Sequence, residues 1–332
     1  MILKRVVPDW DDRERPTFPV IVTMNTLKTI RLVGLVMFGF LAVADGAARD
    51  HGSAAAIRIC AAQNDLPYSD RARTGFENKI AEVLTAHMQK PLEFVWAGKD
   101  AIYLVRDYLD QGLCDVVMGL DTGDPRVLTT KPYYRSGYVF IYRKDRGLNV
   151  PDWNSPDLRK LHRFAIIPGT PAEAMLKVIG KFEENFNYMH SLVDFKSRRN
   201  QYVRSDPQRL VSEVVDGKAD IAILWGPLAA RYVKQSTVPL EMRVIPDDSV
   251  RDDGQKVAHY FDQSLGVRKE EHALLGDLDR ALERVAPKIT AILNAEGVPL
   301  LAQKETVNTA NVHRERKGDH DQTNNIKKNT DG

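Results

Sequence analysis

Between Ala56 and Leu120 two kinds of apolar pattern alternate, and that alternation restricts the fold more than any other feature. "AIRICAA" is a short apolar run rich in β-branched residues, the signature of a buried strand. "GFENKIAEVLTAHM" follows, with Phe76, Ile80, Val83, Leu84 and Met88 at helical spacing. "PLEFVWA" alternates Leu92, Phe94 and Trp96 with more polar positions, again a strand. "KDAIYLVRDYLDQG" reads as a second helix, with Asp100 at its cap, Ile102, Val105 and Leu109 facing inward and Gly112 as its stop. "CDVVMGL" closes the unit. The order β-α-β-α-β predicts a parallel sheet with right-handed crossovers.

A second series repeats the plan. Strand "RFAIIPG" leads into helix "PAEAMLKVIGKF", and strand "SLVDFK" follows. Helix "SDPQRLVSEVVDG" has Ser205 at the cap and Pro207 in the first turn. Strand "ADIAILWG", a short helix "PLAARYVKQ" and strand "LEMRVIPD" come next. "FDQSLGVRK" then returns as a strand, and "HALLGDLDRALERVAPKITAILNAEG" as a long helix that Pro287 should kink or divide. Two α/β units in sequence predict two lobes with a cleft between them. Lobe one is expected over residues 55–142 plus 258–303 and lobe two over 143–257, with crossovers near "YRKDRGLNVPDW" and "DDSVRDDGQK". Residues 304–332 have the polar composition of a disordered tail.

The N-terminus gives the compartment. Leu32–Ala44 is an apolar run of 13 residues, preceded by Lys28 and Arg31 and followed by small residues. That order is a secretory signal. A membrane span needs roughly 20 apolar residues, so no stable membrane insertion is expected. Residues 1–48 are read as leader and signal peptide, with Met24 a more ordinary start than Met1. Export puts Cys60 and Cys114, the two cysteines, in an oxidising compartment. They form a disulfide or remain as two buried thiols. Net charge is +2, or +1 without residues 1–48, which argues against nucleic acid as a partner.

In an open sheet wound from this pattern, the first and third strands are commonly neighbours, and ligands bind beyond their carboxyl ends. "QNDLPYSD" and "DTGDPR" occupy those ends, so Tyr68, Asp121, Thr122 and Arg126 should share a crevice. Neighbouring strands lie about 4.8 Å apart, which also lets Cys60 and Cys114 meet. Arg126 either grips an anion in the cleft or pairs with Asp121 or Asp124 in its own turn. Tyr68, Tyr133 and Tyr134 form an aromatic wall or pack beneath the loops. Lys196–Arg209 holds five basic residues among fourteen and is a solvated loop or a docking patch for an acidic partner.

"DLPYS", "GFENKIAEVL" and "CDVVMGLDTGDPRVLTTKPYY" resemble the first lobe of type II periplasmic solute-binding proteins. The resemblance implies that Arg126 holds a ligand carboxylate and that Tyr68 stacks on the ligand. "IIPGTPAEAML" is similar to the second lobe's anion-binding turn, where Gly169 and Thr170 offer amides at a helix N-terminus. "GKADIAILWGPLAARYV" departs from the pattern: Trp225 and Gly226 stand where amino-acid binders keep an acidic residue. A closer likeness covers nearly the whole mature chain. "DAIYLVRDYLDQGLCDVVMGLDTGDPRVLTTKPYYRSGYVFIYR" and "ADIAILWGPLAARYV" resemble the J-type (MoxJ/MxaJ-like) periplasmic accessory proteins of PQQ-dependent methanol dehydrogenase systems.

That resemblance implies an exported protein that assists maturation or activation of a PQQ-dependent methanol dehydrogenase by contact, through the enzyme's large subunit. The alternative is the binding subunit of an ABC importer for a small anion. No metal, cofactor or reaction of its own is expected. No GxSxG, HExxH, P-loop or dinucleotide fingerprint is present, and the histidines fall at unrelated spacings. Some enzymes use this fold, cyclohexadienyl dehydratases among them; here Glu77 or Asp121 qualifies as an acid or base by position only.

Overall fold

The computed structural model describes residues 55–98, 100–194 and 204–302. The leader, the tail from 304 onward and most of the basic stretch Lys196–Arg209 lie outside the described residues.

The chain opens on β1 (Ile57–Ala62), a two-strand turn of β2 (Asn64–Asp65) and β3 (Ser69–Asp70), helix α1 (Phe76–His87) and β4 (Leu92–Ala97). Two irregular helical turns, Ala101–Tyr103 and Val105–Leu109, lead to β5 (Val116–Asp121) and β6 (Leu128–Thr129). β4, β1 and β5 are adjacent and parallel, with Cys60 opposite Val95 and Val117, so the second strand lies outside the first. Cys60 and Cys114 are joined by a disulfide with their Cα atoms 5.5 Å apart.

The single helix expected over 99–112 is corrected. It is a 3-10 turn followed by one π turn, and Ile102 is 47% exposed, while Val105 and Leu109 are buried. The change of winding between residues 103 and 105 turns Ile102 off the inward face.

β7 (Tyr134–Arg143) is the long strand of the fold. Its first half pairs with the late strand β13, Asp262 lying opposite Arg135, and its second half pairs with β11 and β12. Eight of its ten residues are buried, so no period-two alternation marks it in the sequence. After it come α2 (Pro156–Arg159), β8 (Phe164–Ile166), α3 (Pro171–Val178) and α4 (Phe182–Ser191). α4 is an addition to the expected elements; Gly180, at φ +71°, ends the preceding turn and lets a new helix start. β9 (Val193–Asp194) pairs with β10 (Arg204–Ser205), and α5 (Pro207–Val215) follows. The cap of α5 is Asp206, which accepts from the Gln208 amide, and not Ser205, which is taken up in β10.

β11 (Ile221–Trp225), α6 (Gly226–Lys234), β12 (Leu240–Val244), β13 (Tyr260–Val267) and α7 (His272–Glu296) complete the chain. Pro287 does not divide α7, which is continuous through it. Its ring sits in a helix whose Leu282, Val285, Ile289 and Leu293 are all buried, and that packing outweighs one lost backbone bond. The main sheet runs β4-β1-β5-β13-β7-β11-β8, with β13 antiparallel to both neighbours. Two sets of apolar cores flank it. One joins Phe76, Ile80, Leu84, Val116 and Leu265 with Leu278, Val285 and Ile289 of α7. The others lie around Phe140, Trp153, Phe164 and Ile223, and around Val139, Leu210 and Leu224.

Candidate functional site

The carboxyl ends of β1 and β5 open onto a cavity of about 320 Å³, and two glycines fix its floor. At Gly75 any Cβ would strike the Tyr68 carbonyl, so only glycine lets α1 start this close to the β2–β3 turn. The Phe76 and Glu77 amides then donate to the Pro67 and Tyr68 carbonyls, both at 3.0 Å, which ties Tyr68 and Glu77 into one unit. Gly119, at φ +67°, bends the end of β5, and a Cβ there would collide with the Glu77 carboxyl.

Glu77 therefore lies half-buried against bare backbone, and burial pushes its carboxyl up to about 8. The Asp65 carboxylate adds to that rise, while the Tyr133 hydroxyl beside it opposes the shift without reaching good hydrogen-bond geometry. Tyr68, Tyr133 and Tyr134 pack together under the turn, and burial drives all three phenols well above their ordinary range. The hydroxyls of Tyr133 and Tyr134 are buried without a hydrogen-bond partner.

The opposite wall comes from late in the chain. Tyr138 and Trp225 rings lie 5.7 Å apart, Trp225 and Phe261 5.8 Å, and Tyr138 and Phe261 6.3 Å, a tilted cluster of three. Trp225 ends β11, and Gly226 behind it lets α6 start with its Cα against the Gly137 carbonyl. Gln263 of β13 reaches across and donates to Asp121 at 2.7 Å. Of the expected residues, Tyr68, Asp121 and Trp225 thus line one cavity. Asp65, Tyr138, Phe261 and Gln263 join them with no signal beyond their strand positions.

Arg126 lines an adjoining recess of about 290 Å³ that shares Asp65, Glu77 and Asp121 with the main cavity. Its guanidinium makes a two-point pair with Asp124, Nε to Oδ1 at 3.0 Å and Nη2 to Oδ2 at 2.6 Å, and is 51% exposed. That contact holds the Asp124 carboxyl below its usual range. The turn-pairing alternative with Asp124 is the one the structure adopts. Thr122 is engaged elsewhere, its hydroxyl 2.7 Å from that of Ser264.

Gly169 and Thr170 lie apart, in a cavity of about 410 Å³ that shares no lining residue with the other two. The Gly169 amide donates to Glu173 of its own helix at 2.8 Å, and Thr170 Oγ1 donates to the Ile167 carbonyl. Burial alone would raise the Glu173 carboxyl; Lys177 at 2.6 Å and the Gly169 amide outweigh it and hold it low. The turn is thus capped by a carboxylate from within the chain. Among the described residues no group of His, Cys, Asp and Glu is placed to hold a metal ion, and no helix is long and apolar enough to cross a membrane.

No protein-family model matches the chain. It is 50% identical over 258 residues to protein MoxJ of Methylorubrum extorquens, a match covering 78% of this chain and 85% of that protein. Among solved structures it is similar to MxaJ from Methlophaga aminisulfidivorans MPT, with a TM-score of 0.71, 53% identity, and coverage of 74% of this chain and all of that one. It is also similar to the periplasmic binding protein XoxJ from Methylobacterium extorquens AM1, with a TM-score of 0.55, 26% identity and the same coverage.

Proposed function

The chain belongs to the MoxJ family and has the two-lobed type II periplasmic binding protein fold, and from that premise we propose that it is a periplasmic accessory protein of methanol oxidation. It assists maturation or activation of a PQQ-dependent methanol dehydrogenase through contact with the large subunit, and catalyses nothing itself. The observation that carries this reading is the 53% identity to MxaJ over the whole of that chain, far above the level at which only a fold is shared.

The site supports it. A solute-binding subunit for an anion needs donors turned toward the ligand. Here the Gly169 amide is occupied by Glu173 and the Arg126 guanidinium is engaged by Asp124. The main cavity is lined by Asp65, Glu77 and Asp121, which counts against a small anionic solute. Where an ammonium-holding carboxylate would follow β11, Trp225 and Gly226 stand.

The experiment is deletion of the gene in its host, with dehydrogenase activity measured per amount of dehydrogenase protein in the periplasm. A loss of specific activity that the cloned chain restores supports the accessory role. Unchanged specific activity and unchanged growth on methanol would refute it.

A further inference from the structure

A groove of about 550 Å³ lies between the C-terminal end of α1 and the middle of α7, away from the cleft. α1 starts at the cleft with Phe76 and Glu77 and runs 12 residues to His87, about 18 Å. α7 runs antiparallel to it, since Lys79 near the start of α1 meets Glu296 at the end of α7. The groove is thus at the opposite end of lobe one from the cleft, and it shares no lining residue with the three cavities described above.

Its charges are unevenly matched. Asp277 is paired with Arg280 in the same helix, and Glu283 with Lys131 at 2.5 Å. Asp279, beside them, accepts from the Lys131 amide at 2.8 Å. The carboxylates therefore have donors already. His87, Lys90 and Arg284 also line the groove, and among the described residues none of the three makes an ion pair. Lys288 extends the row Arg280, Arg284, Lys288 at four-residue spacing along α7, and all three are exposed. A helix C-terminus such as that of α1 favours one nearby cation. Several unmatched cations from two elements repel one another, and a partner carrying carboxylates relieves that repulsion. The chain as a whole has a net charge of only +2, so the excess is local to this groove.

The shape selects the kind of partner. Met88 and Ala281 give the groove an apolar lining between the charges, which suits a segment carrying an apolar side chain among its carboxylates. An anionic bilayer is a poorer fit, because it would meet Asp277, Asp279 and Glu283 along with the cations.

We propose that the groove formed by His87, Met88, Lys90, Arg280 and Arg284 docks an acidic segment of the partner dehydrogenase. The identity of the partner rests on the accessory role; the position and charge of the surface rest on the groove itself.

The test titrates the purified methanol dehydrogenase of the same host against the purified chain, in the form the cell produces. Arg284→Glu and Lys90→Glu should each weaken binding about tenfold, and added salt should weaken the wild type more than either variant. Arg159→Glu, an exposed cation of α2 with the same change in net charge, should leave binding unaltered. Arg284 is exposed, so its variant keeps the test valid if Lys90→Glu misfolds. A carbodiimide, which joins an amine directly to a carboxyl, should link Lys90 to an aspartate or glutamate of the dehydrogenase, located by mass spectrometry. Tight binding by the wild type with no loss in Arg284→Glu, and cross-links elsewhere, would overturn the groove and leave the accessory role standing. No binding by the wild type at low salt would overturn both. Loss of binding to phosphatidylglycerol vesicles in Arg284→Glu, with dehydrogenase binding unchanged, would assign the groove to a membrane surface and overturn the proposal.

Discussion

Arg231 of α6 and Glu296 in the last turn of α7 form a two-point ion pair, Nε to Oε2 at 2.7 Å and Nη2 to Oε1 at 2.9 Å, with 12% and 9% of their side chains exposed. Lys79 of α1 reaches the same carboxylate at 2.9 Å, and Arg231 also donates to the Thr74 carbonyl. One carboxylate therefore joins three helices that are far apart in sequence.

Arg231→Met should destabilise the protein by about 3 kcal/mol in chemical denaturation, because it leaves a buried carboxylate with half its partners. Burial alone would raise the Glu296 carboxyl, but Arg231 and then Lys79 outweigh it and hold it below its ordinary value of 4.5. The contribution is present above the unfolded carboxyl's pKa and is lost as pH falls through the lower folded one. The gap between wild type and variant should thus close in acid; a gap that stays constant would refute the assignment.

Reduction of Cys60–Cys114 should cost up to about 4 kcal/mol, the chain-entropy value for a closed loop with a sequence separation of 54. Melting with and without a phosphine reductant measures it. An unchanged midpoint would show that the loop is held without the bond.

Gly119→Ala should cost about 2 kcal/mol, from the left-handed backbone and the displaced Glu77 carboxyl. With Glu77→Ala already in place the cost should fall to that of the backbone alone. Simple additivity in the double-mutant cycle would contradict the contact.

Glu77 gives the opposite pH dependence to Glu296. Its folded pKa, about 8, lies above the unfolded 4.5, so the folded state keeps a proton that the unfolded chain gives up. The stability so gained is complete below 4.5 and declines as pH rises to about 8. Glu77→Gln, which mimics the neutral acid, should remove that decline. A variant that follows the wild-type curve would show that Glu77 is ionised at neutral pH.

The strand order β4-β1-β5 was legible because each element carried its own periodicity, and the cysteine pair followed from it. β7 was not, since a strand buried on both faces has no alternation to read. Ile102 and Ser205 were misplaced by local effects, a π turn and a better cap one residue later. In the cavity, Tyr68, Asp121 and Trp225 were readable as strand-end residues. Tyr138, Phe261 and Gln263 were not, because β7 and β13 meet only through long-range antiparallel pairing. The self-capping of Gly169 by Glu173 was also hidden: a helix N-terminus followed by a glutamate reads equally well as an anion site and as a filled one.

The central claim is contact with the dehydrogenase, and affinity capture tests it most directly. The tagged chain, expressed in its methanol-grown host, is recovered from the periplasm at low salt and its bound proteins are identified by mass spectrometry. The account predicts recovery of the large subunit of a quinoprotein methanol dehydrogenase, abolished by excess untagged chain. Capture that yields no dehydrogenase, with the apo-enzyme present in the same extract, would contradict it.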